Sequence, residues 1–472
     1  MMRSPTPSAS PSRQSLPLLV FLSLSMLLSA LGTSIANVAL PTLARAFNAP
    51  FQTVQWIVLA YLLAITTLIV SMGRLGDLMG RRRLMLMGIG LFSVASALCG
   101  ATPWLGGLIA ARAMQGMGAA VMMALTMAFA SEAASKGKTG SVMGLLGTMS
   151  AVGTALGPTL GGLLITGLGW PSVFLINLPL GMVAFGLAWR YLPRDKPQAA
   201  GARTRFDTWG SLLLAASIAA YALAMTRAGT RIDGRVALLL VVAVVAAIAF
   251  VRAQAAAASP LIRLALFRQS VLSAGVATNA LVSTVMMTTL VVGPFYLAGA
   301  LGLDAARVGL VMSCGPAIAA LAGVPAGRGV DRYGAQRMMR AALVVMAAGA
   351  TILPLVSVEF GAIGYVAPLG VITAGYALFQ AANSSAVMTC AGTDQRGAVS
   401  GVLNLSRNLG FITGASLMGA VFAATSGGGD LRFSLPAALT AGLRWTYGLA
   451  AVLLLVALAI AAAGQKRQRI AA

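Results

Sequence analysis

Arg112 lies inside Leu108-Ile109-Ala110-Ala111-Arg112-Ala113-Met114-Gln115-Gly116-Met117-Gly118-Ala119-Ala120, a run that otherwise carries no charge. A guanidinium keeps its proton and is costly in hydrocarbon, so this residue must face a polar cavity or a partner. The remaining material for chemistry is thin. There is no histidine, which removes the commonest general base and metal ligand. Cys99, Cys314 and Cys390 fall in or beside apolar runs and suit helix packing rather than a disulfide framework or a metal site. The acids Asp77, Glu132, Asp195, Asp207, Asp233, Asp304, Asp331, Glu359, Asp394 and Asp430 all sit in or next to expected loops. Glu132 comes nearest to the bilayer interior, yet about twenty residues, roughly 30 Å of helix, separate it from Arg112. No serine elbow, P-loop or dinucleotide fingerprint stands in a suitable context. The chain reads as no enzyme, with no cofactor and no metal.

The elements that must position these residues are membrane helices. Mean hydropathy is +0.88, with 58% hydrophobic and only 9% charged residues, which excludes a water-soluble globular chain. Runs long enough to cross a bilayer lie near 17–40, 52–72, 84–102, 104–130, 141–165, 171–192, 208–228, 235–254, 271–298, 305–327, 338–358, 361–387, 398–424 and 442–464, so an all-α polytopic protein of fourteen helices is expected. Residues 1–15, rich in Ser and Pro, read as a disordered tail. The run from Leu16 to Leu40 is too long for a signal-peptide core and reads as a first spanning helix that is kept. The formal charge of +23 needs no nucleic-acid partner. With the N-terminus inside, alternate loops on the cytoplasmic side collect 24 of the 33 Lys and Arg residues and the outer loops 7, while Arg112 and Arg407 fall within helices. The positive-inside rule then puts both termini in the cytoplasm.

A short basic stretch, Gly73-Arg74-Leu75-Gly76-Asp77-Leu78-Met79-Gly80-Arg81-Arg82-Arg83, recurs as Gly327-Arg328-Gly329-Val330-Asp331-Arg332-Tyr333-Gly334, with Gly73, Asp77 and Gly80 each matched 254 positions on. One copy would pass for a cytoplasmic loop. Two in register suggest a joint between moving halves, in which glycines permit a tight turn and the aspartate faces a helix end. Pro41 matches Pro294, and Gly140, Gly144, Gly153 and Gly157 match Gly397, Gly401, Gly410 and Gly414 at nearly the same offset. The expected organisation is a half at 16–192, a linker at 193–207, two inserted helices at 208–254, a second linker at 255–270, a half at 271–464 and a tail at 465–472. Parallel six-helix halves rocking about a central site are how secondary transporters expose that site to either side.

Gly153, Gly157 and Gly161 stand four apart and give the fifth helix one smooth face for close packing, while Pro158 removes a backbone hydrogen bond and is expected to bend it. Thr33 and Asn37 share a face of the first helix. Tyr376, Gln380 and Asn383 form a stripe on the twelfth, and Asn279, Ser283 and Met287 one on the ninth. Such stripes serve either as glue between helices or as cavity lining. Arg112 has no carboxylate in reach, so Asn37, Thr33, backbone carbonyls, water or cargo must satisfy it. That tilts the cargo from cations towards neutral or anionic molecules.

The aspartate turn, the Arg112 segment, the glycine–proline segment of helix 5, Asn37-Val38-Ala39-Leu40-Pro41 and Phe174-Leu175-Ile176-Asn177-Leu178-Pro179-Leu180-Gly181 resemble the major facilitator superfamily over nearly the whole chain, and within it the fourteen-helix drug:proton antiporters of the EmrB/QacA type. The resemblance implies a switch role for Asp77, with Gly73, Gly80, Arg81 and Asp331 around the two turns. Asp77 would engage the start of the thirteenth helix near Ala398. Proton handling would fall to Arg112, and the helix 5 bend to Gly157 and Pro158. One departure stands out. The family's usual intramembrane acid in helix 1 is replaced by Gly32, which leaves Glu132 as the next acid to consider for coupling.

The expected function is export of small organic compounds across the bacterial inner membrane by alternating access, with protons as counter-ion. The alternative is an uncoupled exchanger or an importer of an anionic metabolite. Gln115 joins Thr33, Asn37, Asn279, Tyr376, Gln380 and Asn383 as expected cavity residues. The expected unit is a monomer in a lipid bilayer, and a periplasmic adaptor protein is a further candidate partner.

Overall fold

Within a bilayer every backbone N–H and C=O must find its partner inside the chain, which makes long apolar runs helical. The computed structural model describes residues 15–133, 139–195, 208–228, 233–256, 267–356, 358–390, 396–427 and 435–471, and the regular structure among them is helical throughout. The chain begins with α1 (Ser15–Ala46), α2 (Phe51–Val54), α3 (Trp56–Met79), α4 (Arg81–Ala101), α5 (Leu105–Ala133), α6 (Thr139–Leu168), α7 (Ser172–Leu175) and α8 (Asn177–Tyr191). It continues through α9 (Thr208–Ala228), α10 (Gly234–Ala256), α11 (Ser270–Gly299), α12 (Ala305–Tyr333), α13 (Ala335–Ile352) and α14 (Gly361–Cys390). The last elements are α15 (Arg396–Thr413), a π-helical turn at Gly414–Met418, α16 (Gly419–Thr425) and α17 (Pro436–Ala471). Among the described residues twelve helices are long and apolar enough to cross a membrane, and Val152–Leu168 and Trp209–Met225 are two shorter apolar helices.

Helix pairing follows the same scheme twice. The pairs α1–α6, α3–α5 and α4–α8 of the N-terminal bundle are answered by α11–α15, α12–α14 and α13–α17 in the C-terminal one. Small residues explain the tightest of these contacts. A Cβ added at Gly153 would meet the Leu27 carbonyl oxygen at 2.5 Å and Ala30, and one at Gly157 would strike Ser34; the sequence-equivalent Gly410 and Gly414 lie in the same way against Ala280 and Thr284 of α11. The bundles meet along α6 against α12 and α3 against α15, and also where α1 packs on α11. On the first, Gly162 and Gly309 bring two backbones together, with a Gly162 Cβ 3.1 Å from the Gly309 Cα. On the second, α9 lies across the seam: Ser211 bonds Ser71 of α3 at 2.6 Å and Tyr221 donates to Thr413 Oγ1 at 3.2 Å.

The expected basic turns are shorter than the sequence suggests. Helix α3 runs through Gly73 and Asp77 to Met79, and α12 runs through Gly327 and Asp331 to Tyr333, so each turn shrinks to one glycine, Gly80 (φ 94°) or Gly334 (φ 83°). A positive φ is inexpensive only for glycine. The expected helix at 398–424 is likewise interrupted, by the π turn that separates α15 from α16.

Candidate functional site

Arg112 is wholly buried between α1, α3 and α5. Its Nε donates to the Ile57 carbonyl at 3.0 Å, Nη1 to Gln115 Oε1 at 2.5 Å, and Nη2 to the Gly32 carbonyl at 3.0 Å. The Tyr61 ring faces the guanidinium at 4.1 Å and the Phe174 ring lies 5.8 Å away, both within cation–π range. Gln115 passes the network on, donating to Ser96 Oγ at 2.6 Å, which donates to the Phe92 carbonyl at 2.7 Å. The charge is thus held by dipoles and π faces. Of the ten acids, the five with described side chains, Asp195, Asp233, Asp304, Asp331 and Glu359, are all exposed. Glu132 stands in the last turn of α5 and Asp77 in the last turn of α3, but both side chains, and Ala398 opposite the expected switch, lie outside the described residues; so do Asp207, Asp394 and Asp430.

The expectation that Thr33 and Asn37 line a cavity with Arg112 changes in detail. Asn37 donates to the Thr33 carbonyl at 3.0 Å and Thr33 to the Ser29 carbonyl at 3.2 Å, so neither bonds Arg112. Asn37 is buried with its Oδ1 unpaired. Gln115 belongs to the Arg112 network and is fully buried. On the C-terminal side, Asn279 donates to the Leu403 carbonyl at 2.9 Å and Asn383 to the Gly275 carbonyl at 3.2 Å, which makes both ties between helices.

Tyr376 and Gln380 differ from these. Gln380 Nε2 donates to the Tyr376 hydroxyl at 2.8 Å, and both are only half-buried on α14. Arg407 of α15 lies within electrostatic reach of Tyr376 and shares a helix face with Asn404 and Phe411, all three half-buried. Its Nη2 donates to Asn404 Oδ1 at 2.9 Å, while its buried Nε has no partner. Each guanidinium nitrogen of Arg112 has a hydrogen-bond partner, whereas Arg407 leaves its Nε without one. From sequence Arg407 is placed only within a helix; its four-residue spacing from Phe411 and three-residue spacing from Asn404 are the available signal.

At the end of the bundles that carries residues 47–50, Gln55 Nε2 donates to the Ala415 carbonyl in the π turn at 2.6 Å. Phe51 meets Phe295 edge-on at 4.6 Å and Phe422 at 6.2 Å. These contacts join the two bundles. At the opposite end Gly73 and Gly327 have open space around them, Arg81 is half-buried and Asp331 is exposed. Gly80 packs against the Asp195 carboxylate, which accepts from the backbone N–H groups of Arg82 at 2.9 Å and Arg83 at 3.1 Å. Asp195, read from sequence only as part of a linker, thus caps α4. Gly161 packs on Ile35 and Pro158 lies within a continuous α6 with its carbonyl against Gly309. Cys99 and Cys314 are free thiols, and Cys390 has no described side chain.

The sequence profile described as "Major Facilitator Superfamily" matches residues 22–415, with a second match over 276–469. The chain belongs to the Major Facilitator Superfamily. Its superfamily relatives include the uncharacterized transporter YebQ of Escherichia coli, 32% identical over 417 residues that cover 86% of this chain and 89% of the relative. The riboflavin transporter RibZ of Clostridioides difficile is 29% identical, over 86% of this chain and 88% of its own length. The drug efflux pump JefA of Mycobacterium tuberculosis is 32% identical, over 84% and 78%. Among solved structures, a bacterial homolog of the human lysosomal transporter Spinster, in an inward-facing conformation, superposes with a TM-score of 0.68 at 14% identity, covering 97% of this chain and 98% of that one. At that identity the likeness is one of fold. The protein is a multi-pass membrane transporter and, like the superfamily, not an enzyme; its substrates are small molecules and it resides in a lipid bilayer.

Proposed function

We propose that this transporter exports small organic compounds across the bacterial inner membrane by alternating access of two halves, 16–192 and 271–464, with fourteen spanning helices in all and both termini cytoplasmic. The two shorter apolar helices, added to the twelve long ones, support a count of fourteen, with the α9–α10 pair as the proposed insertion. Relatives named for drug efflux support the direction. The unit proposed is a monomer.

Arg407 carries the assignment of the cargo. A half-buried guanidinium within electrostatic reach of Tyr376 suits a molecule that presents a carbonyl, phenolate or other acceptor to its accessible Nη groups. Arg112, held by Gly32, Ile57 and Gln115, is a structural centre of the N-terminal half, and a titrating proton carrier is sought elsewhere. Glu132 is the first candidate. Gly32 and Arg407 also favour the second reading, exchange or import of an anionic metabolite without proton coupling.

The test is flux from proteoliposomes loaded with riboflavin or with a neutral drug-like dye, with and without an imposed proton gradient. Export by antiport predicts faster release with the gradient and loss of that acceleration in Glu132→Gln. Arg407→Gln is expected to raise KM about tenfold with kcat kept, the loss of one charge-assisted hydrogen bond. An unchanged KM removes Arg407 from the site, and indifference to the gradient in the wild type removes proton antiport.

A further inference from the structure

A cavity of about 670 Å³ opens where the start of α4 meets the end of α8, lined by Arg82, Arg83, Trp189, Arg190, Arg194 and Asp195 among others. Four guanidinium groups face one carboxylate, and that carboxylate is already engaged by the backbone N–H groups of Arg82 and Arg83. Arg82 is anchored through Nη2 to the Trp189 carbonyl at 2.6 Å, with its charge 5.7 Å from the Trp189 ring. Arg83 and Arg194 are exposed, and neither they nor Arg190 form an ion pair among the described residues. The site therefore carries uncompensated positive charge in a concave, aromatic-walled setting.

A second observation says what kind of anion fits. Met87, Val94 and Leu98 share one face of α4, while Met182, Phe185 and Trp189 share one of α8, and all six are exposed. Gly90 on α4 is open, and Phe185 stacks on Trp189 with centroids 6.4 Å apart. Apolar side chains thus lead from the basic cavity along both helices into the bilayer. A free phosphate would occupy only part of the cavity and leave this track uncovered; a phospholipid covers both. We infer that the cavity between α4 and α8 binds the phosphate headgroup of an anionic phospholipid, with the acyl chains along Met87, Val94, Met182 and Phe185. Arginine suits this role because its planar fork meets phosphate oxygens in pairs, and an interfacial tryptophan suits the headgroup depth. By linking Gly80, Asp195 and the cavity, the site ties the α3–α4 joint to the lipid leaflet it faces.

The experiment is native mass spectrometry of the purified full-length transporter titrated with phosphatidylglycerol or with phosphatidylcholine, repeated in the presence of inorganic phosphate. The wild type is expected to retain phosphatidylglycerol selectively, and phosphate is expected not to displace it. Retention should fall on the order of a hundredfold in R83Q/R190Q/R194Q, three interfacial charges at about fivefold each, and fall less far in R83K/R190K/R194K, which keeps the charge and loses the fork. Equal retention of the two lipids by the wild type overturns the proposal, as does unchanged binding in the glutamine variant. Displacement by inorganic phosphate overturns it too, in favour of a soluble anion. The first and last comparisons need no variant, so a poorly folding mutant does not shield the idea.

Discussion

Nη2 of Arg112 donates to the carbonyl oxygen of Gly32 at 3.0 Å, so the residue that stands where related exporters are expected to carry an acid still meets the arginine, through its backbone. Ile57, Gln115 and the Tyr61 ring complete the shell. A buried charge satisfied by dipoles alone has no partner whose protonation would release it.

Removing the guanidinium should therefore unfold before it uncouples. Arg112→Ala leaves Gln115 Oε1 without its donor beside a void, and a loss of about 2–5 kcal/mol is expected. Arg112→Lys keeps the charge but not the three-way geometry and should fall between. Thermal unfolding in detergent reads this directly; an unchanged midpoint with lost transport would place Arg112 in the cargo or proton path instead.

Restoring an acid at position 32 meets a steric obstacle. A Cβ on Gly32 would lie 2.8 Å from the Tyr61 hydroxyl and 3.5 Å from Phe92. Gly32→Asp alone is expected to cost about 1–3 kcal/mol by overpacking, and Gly32→Asp/Tyr61→Phe to regain most of it. If gradient-driven flux appears or strengthens only in the double variant, the acid has been seated beside Arg112. Wild-type stability in the single variant would show that Tyr61 does not hold that space.

Gln55 holds the two bundles together through the Ala415 carbonyl, and its amide also lies against Gly419, so that a methyl there would collide with it. A buried, cross-bundle hydrogen bond contributes about 1 kcal/mol, which corresponds to several-fold in a two-state population. Gln55→Ala and Gly419→Ala are both expected to favour separation at this end. Spin-label distances between Asn48 and Asp304 should gain a longer component; distributions identical to wild type would show that the latch does not bias the equilibrium.

Close approach of α6 and α12 rests on Gly162 and Gly309. Gly309→Leu would drive a side chain into the Pro158 carbonyl and is expected to abolish transport while secondary structure by circular dichroism stays unchanged. Gly323→Leu on the same helix, where a Cβ meets nothing within 4 Å, serves as the tolerated control.

Tyr376→Phe probes the proposed cargo site by itself. Gln380 loses its acceptor and Arg407 a neighbour, so binding should weaken severalfold with stability nearly unchanged, because the pair is half-buried and water can replace the lost bond. Equilibrium binding of a fluorescent substrate measures it, and a large stability loss would mark the pair as packing glue.

Much of this was legible from local chemistry. Apolar length and the absence of histidine dictate membrane helices and exclude most catalysis, because desolvation leaves a chain in lipid no alternative to internal hydrogen bonding. The glycines at 153 and 157 and their counterparts at 410 and 414 signal close packing, since that property depends on a missing side chain and not on which neighbour arrives. The basic turns were misjudged in extent because Gly80 and Gly334 each suffice to reverse the chain at positive φ, something composition cannot separate from a loop.

Tertiary structure alone decided how the two arginines differ. Both sit within helices and look alike in sequence, but the acceptors of Arg112 come from residues 55 and 80 positions away as well as from Gln115, whereas Arg407 bonds Asn404 and leaves its Nε without a partner among the described residues. It also decided that Asp195, more than a hundred residues from the first turn of α4, caps that helix. Hydrogen-bond satisfaction is set by which helix ends and backbone carbonyls meet in space, and sequence spacing encodes that only within one helix. The fold and the transporter class belong to the sequence; the allocation of its scarce charges belongs to the packing.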